Sequence, residues 1–171
     1  VEKAEGRMER AVSYFEKSLK SEDLKVKGFA CYNLCLTYYE LDAIEKAREY
    51  NEKYLEIEPE NICGNYQQGL ILSGMKDLEG AAKHFDIALS GKTDEEFHSS
   101  NAPFEHFIKS IFKVPAREEI LYQAGITCMN KGKKSKASRY FNEYINIAPD
   151  GPEAEEVRKY IKKLGIHHKI L

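Results

Sequence analysis

No two of the four cysteines, Cys31, Cys35, Cys63 and Cys128, have the CxxC spacing of a redox or metal motif. Cys31 and Cys35 share a helix face at four-residue spacing, but two sulfurs do not make a zinc site. They read as reduced thiols inside a core, which favours a cytoplasmic location. No apolar run approaches the roughly 20 residues that a membrane span needs, and no signal-peptide pattern opens the chain. Cations are not in excess, since 26 Lys and Arg stand against 28 Asp and Glu. A nucleic-acid partner, which requires neutralised phosphates, is therefore disfavoured. An initiator Met is also missing. The opening "VEKAEGRMERAVSYFEKSLK" places Met8, Ala11, Val12, Phe15 and Leu19 on one helical face, so the chain reads as a piece of a longer protein.

Catalytic patterns are lacking too. The histidines His84, His98, His106, His167 and His168 stand in no recognisable motif. "SGMKD" and "GKKSK" combine glycine with lysine but not at the spacing of a phosphate cradle, and both read as turns between helices. Without a nucleophile–base pair or paired carboxylates in a pocket, the expectation is a chain that is no enzyme and carries no cofactor or metal. The adjacent His167 and His168 read as a solvated tail.

What is present is a repeat. Ala81 lies 34 residues after Ala47, and Tyr66-Gln67 lies 34 after Tyr32-Asn33. Gly69, Ala81, Phe85 and Tyr66 recur as Gly125, Ala137, Phe141 and Tyr122, each 56 residues later. One insertion of 22 residues reconciles the two offsets, and Pro59 and Pro149, 90 apart, agree with both. Each unit reads as two helices, A and B, joined by a short turn. Pro59 ends helix B of the first unit, because the residue before a proline is pushed out of the helical region. Gly69 and Gly125 lie inside helix A, where glycine costs about 1 kcal/mol relative to alanine. Their shared register predicts a packing reason: two helices approach too closely there for a side chain. Ala47, Ala81 and Ala137 are small on the partner helix for the same reason.

The matching stretches "YNLCLTYY…A…P", "YQQGLIL…AAKHF" and "YQAGITC…ASRYF…P" resemble the tetratricopeptide repeat family. The resemblance implies an all-α fold, a right-handed superhelical solenoid of antiparallel helix pairs. The expected single domain comprises helix B of a truncated repeat (1–27), repeats at 28–61, 62–95 and 118–151, an insertion at 96–117, and a capping helix with tail at 152–171. Three departures stand out. Cys35 replaces the glycine of the first unit, Asn51 replaces its helix-B aromatic, and the second unit lacks the closing proline. In the last segment Ala154, Val157, Tyr160, Ile161 and Leu164 form one stripe, with early acids and late lysines suited to the helix dipole, and Gly165 ends it.

In this family the A helices line a concave groove for a peptide or partner helix. The positions carried over are Tyr32, Asn33, Leu36 and Tyr39, then Tyr66, Gln67 and Leu70, then Tyr122, Gln123, Ile126 and Met129. Tyrosines would offer rigid contact area, and the amides would pair with an extended peptide backbone. The resemblance also has a negative implication. Members that grip the acidic C-terminal tails of heat-shock chaperones use a lysine, arginine and asparagine clamp. Asn33 alone would match it, beside Tyr32, Leu36, Cys63, Gln67, Glu119 and Gln123, so that partner is not expected.

The insertion contains "NAPFEHFIKSIFKV", in which Phe104, Phe107, Ile108, Ile111 and Phe112 recur at three- and four-residue steps. It predicts an amphipathic helix, capped near Ser100 or Asn101, that either fills a wider gap between the second and third units or contacts a partner. Met8, Val12 and Phe15 of the leading helix need cover, which predicts a homodimer through that helix. The function expected is a protein-interaction scaffold; the alternative is an accessory region of an enzyme, such as a glycosyl- or methyltransferase, catalysing elsewhere.

Overall fold

The computed structural model describes residues 2–91 and 114–165, and every regular element among them is a helix. Helix α1 (Glu2–Ser18) leads into three pairs. These are α2 (Leu24–Glu40) with α3 (Ile44–Ile57), α4 (Ile62–Gly74) with α5 (Leu78–Ser90), and α6 (Arg117–Asn130) with α7 (Lys134–Ile147), before α8 (Ala154–Leu164). Members of a pair pack on each other, and α1 on α2, α3 on α4, α5 on α6 and α7 on α8 extend the stack. The result is an all-α solenoid. The expected inserted helix, with Phe104, Phe107, Ile108, Ile111 and Phe112, lies outside the described residues, as do His98, His106, His167 and His168.

The repeat is visible in the turns. Each A helix ends in one residue in the left-handed region: Asp42 (φ 57°), Lys76 (φ 68°) and Gly132 (φ 76°), spaced by the same 34 and 56 residues. The N–H groups of Ala43, Asp77 and Lys133 reach back to the carbonyls of Tyr38, Leu72 and Cys128, each at 2.9 Å. Those of Asp42, Lys76 and Gly132 bond Tyr39, Ser73 and Met129. This double closure satisfies carbonyls that a helix end otherwise leaves unpaired. At the other ends, Asp23, Asn61 and Asp77 accept backbone N–H bonds from Lys25, Gly64 and Gly80. The Asp23 cap starts α2 four residues ahead of the first unit as delimited by the offsets. The last helix ends where expected, with Gly165 at φ 65°.

The mid-helix glycines have the close neighbour their register implied, and it is a ring rather than a backbone. A Cβ on Gly69 would lie 2.5 Å from Phe85, and one on Gly125 would lie 2.4 Å from Phe141. The first unit's two departures are one event: with Asn51 where the others have phenylalanine, helix A can carry Cys35. Asn51 turns instead to the next unit, donating to the Gly64 carbonyl at 2.9 Å and to Gln68 Oε1 at 2.8 Å. Asn65 donates to the carbonyls of Pro59 and Asn61 and meets His84 Nδ1 at 2.9 Å. A polar layer thus crosses the interior between the first and second units. Beyond it one apolar core runs from Ile62 to Leu164, around Phe85, Leu121, Phe141 and Tyr144. Ala47, Ala81 and Ala137 are fully buried, and all four cysteines are buried and form no disulfide among the described residues.

One expectation about a gap is corrected. The second and third units stack directly despite the insertion. Helix α5 packs on α6, and Arg117 donates to the Leu89 carbonyl at 2.9 Å while pairing with Glu143 at 2.7 Å. No widened gap awaits filling there. Of the residues that motivated a homodimer, Val12 and Phe15 pack with Leu19, each partly buried, against a core of Leu34, Cys35, Tyr38 and Ala47, while Met8 is half-buried outside that cluster.

Candidate functional site

The residues expected to line the groove all lie on α2, α4 and α6, but at different depths. Tyr32, Asn33, Tyr66 and Gln67 are buried. Leu36, Leu70, Tyr122, Gln123, Ile126 and Met129 are half-buried, and Tyr39 is exposed. Helix α4 explains the depth of its members. It is sandwiched between α3, α5 and the neighbouring A helices, and 62–69 are buried without exception.

The tyrosine hydroxyls connect one unit to the next. Tyr66 donates to Glu119 Oε1 at 2.7 Å, and Tyr32 is hydrogen-bonded to Cys63, the equivalent position one unit earlier. Tyr122 donates to Glu156 Oε2 at 3.0 Å, and Tyr160 donates to the other oxygen of the same carboxylate. Burial, and then the facing Glu119 carboxylate, push the Tyr66 phenol up, so it stays a neutral donor. The Tyr160 and Tyr122 hydroxyls hold the Glu156 carboxyl below its ordinary value, so it stays charged. The amides divide. Asn33 donates to the Phe29 carbonyl one turn back at 2.8 Å, so this amide group is engaged by its own helix. Gln67 Nε2 is buried and has no acceptor among the described residues.

Between α2 and α4 a pocket of about 520 Å³ is lined by Tyr39, Asp42, Ile44, Glu45, Leu70, Ile71, Gly74 and Met75. Two residues expected in the groove, Tyr39 and Leu70, therefore share one wall. Asp42 and Glu45 of this lining, and Glu119, Glu153 and Glu156 beside the tyrosines further along, were not recognised as a set. Register had already singled out Glu119, which stands three residues before Tyr122 as Cys63 stands before Tyr66, but not its pairing with the Tyr66 hydroxyl. Among the described residues no group of three or more metal-binding side chains occurs, and no helix is long and apolar enough to cross a membrane.

Residues 30–61 and 118–150 match the family model described as Tetratricopeptide repeat. No curated protein matches the chain in sequence. Among solved structures, the N-terminal domain of stress-induced protein-1 (STI-1) from C. elegans is similar at 18% identity and a TM-score of 0.60, over 85% of this chain and 100% of that one. A crystal structure of MamA is similar at 16% identity and a TM-score of 0.65, over 95% of this chain and 89% of that one. Repeats in register, their shared turn geometry and the matched stretches agree: the chain has the fold of a tetratricopeptide-repeat solenoid, and two of its stretches match that family.

Proposed function

We propose that the chain is a protein-interaction scaffold whose groove, formed by α2, α4 and α6, holds a peptide segment of a partner. The observation that carries this reading is the α2–α4 pocket, which the start of α3 closes and which Tyr39 and Leu70 line together with Asp42 and Glu45. Along the same helices, Tyr122, Ile126 and Met129 remain half-buried and so retain surface for contact. The deeper residues Tyr32, Asn33 and Tyr66 give the wall its shape rather than its contact area. A row of carboxylates along that wall opposes the acidic tails of heat-shock chaperones.

The test is selection of displayed random dodecapeptides on the full chain, followed by the same binding measurement on Leu70→Glu and Ile126→Glu. Both positions are half-buried, so circular dichroism first establishes that each variant is folded. Loss of binding in the folded variants is the expected result. Retention in both refutes the groove.

A further inference from the structure

Resting on the groove reading, we infer that the bound segment is cationic: one Lys or Arg side chain enters the α2–α4 pocket, and others meet Glu119 and Glu156. Three observations converge on this. First, the pocket is amphipathic in the way a long cationic side chain is. Tyr39, Leu70 and Met75 offer apolar surface to an aliphatic stem, and Asp42 and Glu45 stand where its charged head would emerge. The cations nearest in sequence make no ion pair with either among the described residues: Lys46 lies over the Tyr38 ring and Arg48 pairs with Glu52.

Second, the carboxylates further along stand outside the ion pairs. The ion pairs among the described residues use Glu49, Glu52, Glu79, Asp86 and Glu143, and none uses Glu119, Glu153 or Glu156. Their partners are tyrosine hydroxyls, which fix the geometry of a carboxylate without cancelling its charge. The Tyr66 phenol feels Glu119, Tyr39 and Glu153 together, so these groups share one neighbourhood rather than separate faces.

Third, a donor waits in the same wall. Cys63, Gln67, Leu70 and Gly74 form one stripe of α4. Cys63 meets Tyr32 of α2, while Leu70 and Gly74 line the pocket. Gln67 sits between them on that stripe, about 94% buried, with Nε2 lacking an acceptor among the described residues. A buried amide donor without a partner is costly, and a main-chain carbonyl of an extended segment supplies the acceptor.

The experiment reads the composition of the dodecapeptides selected on the full chain at physiological ionic strength, where screening acts over about 8 Å. Enrichment in Lys and Arg is expected. A fluorescein-labelled selected peptide is then titrated into two paired variants, Asp42→Asn/Glu45→Gln and Glu119→Gln/Glu156→Gln, with Glu56→Gln on α3 as control. Each pair is expected to weaken binding about tenfold, as removing one partner of close charge pairs does, and the control to leave it unchanged. Peptides that lose binding in Leu70→Glu but carry no cationic excess, or ignore both paired variants, overturn this inference and leave the groove standing. Peptides indifferent to Leu70→Glu and Ile126→Glu overturn both.

Discussion

Replacing Gly125 by alanine sets a methyl carbon 2.4, 2.7 and 2.9 Å from three ring carbons of Phe141. Ordinary carbon contacts lie near 3.5–4.0 Å, so the ring has to retreat by about an ångström, the gap between these distances and ordinary contact. Phe141 is completely buried and packs against Tyr160, with ring centroids 5.4 Å apart, so it has nowhere to go without moving α7 or α8. Overpacking of this kind costs about 1–3 kcal/mol. Against it stands the helix preference of alanine over glycine, about 1 kcal/mol in the other direction.

The single variant is thus a difference of opposing terms, and a double-mutant cycle with Phe141→Leu separates them. With the ring gone, Gly125→Ala should become stabilising by up to about 1 kcal/mol. The coupling between the two sites should be about 1–3 kcal/mol, the overpacking term itself. Gly6, inside α1 with nothing within 4 Å of its would-be Cβ, is the control. Gly6→Ala should stabilise by the propensity term alone. Urea unfolding followed by circular dichroism supplies the midpoints, with slopes checked because repeat arrays can lose cooperativity. If Gly125→Ala has the same effect with and without the ring, the close-approach explanation of the repeat's glycine is wrong.

Further expectations follow from single contacts. Lys76→Gly should raise stability by about 1 kcal/mol and Gly132→Ala should lower it by a similar amount, because both sit in the left-handed turn position; urea midpoints moving in the same direction would contradict this. Tyr144 donates to Glu153 at 2.9 Å and accepts the Glu153 N–H at 3.1 Å. Tyr144→Phe should therefore cost about 1–3 kcal/mol at the α7–α8 junction, seen as faster amide exchange in α8. Burial lowers the His84 pKa, so between its folded and unfolded values the unfolded chain binds the extra proton. Stability should fall as pH drops below about 6.5, and His84→Gln should flatten that part of the profile relative to the parent.

The fold was legible where the physics is local or periodic. Offsets of 34 and 56 residues located the units, and the same offsets recur in the residues at Asp42, Lys76 and Gly132 that turn each A helix back. The start of α2 lay beyond the offsets because a cap, Asp23, decides it. Less legible were pairings between residues distant in the chain. Cys35 and Asn51 looked like two separate lapses from the pattern, and only the Gly–Phe contacts of the other units show them to be one. The tyrosine column was found by register, but what its hydroxyls do depends on Glu119, 53 residues from Tyr66 and across the insertion. Burial of Asn33 and Gln67 was equally out of reach, since it depends on how closely neighbouring units stack.

The groove is tested most directly by amide chemical-shift mapping of the labelled chain with a peptide from the selection. The account predicts that the largest changes fall on α2, α4 and α6, at Tyr39, Gln67, Leu70, Ile126 and Met129. Changes confined to α3 and α7, around Lys53 and Arg139, would contradict it.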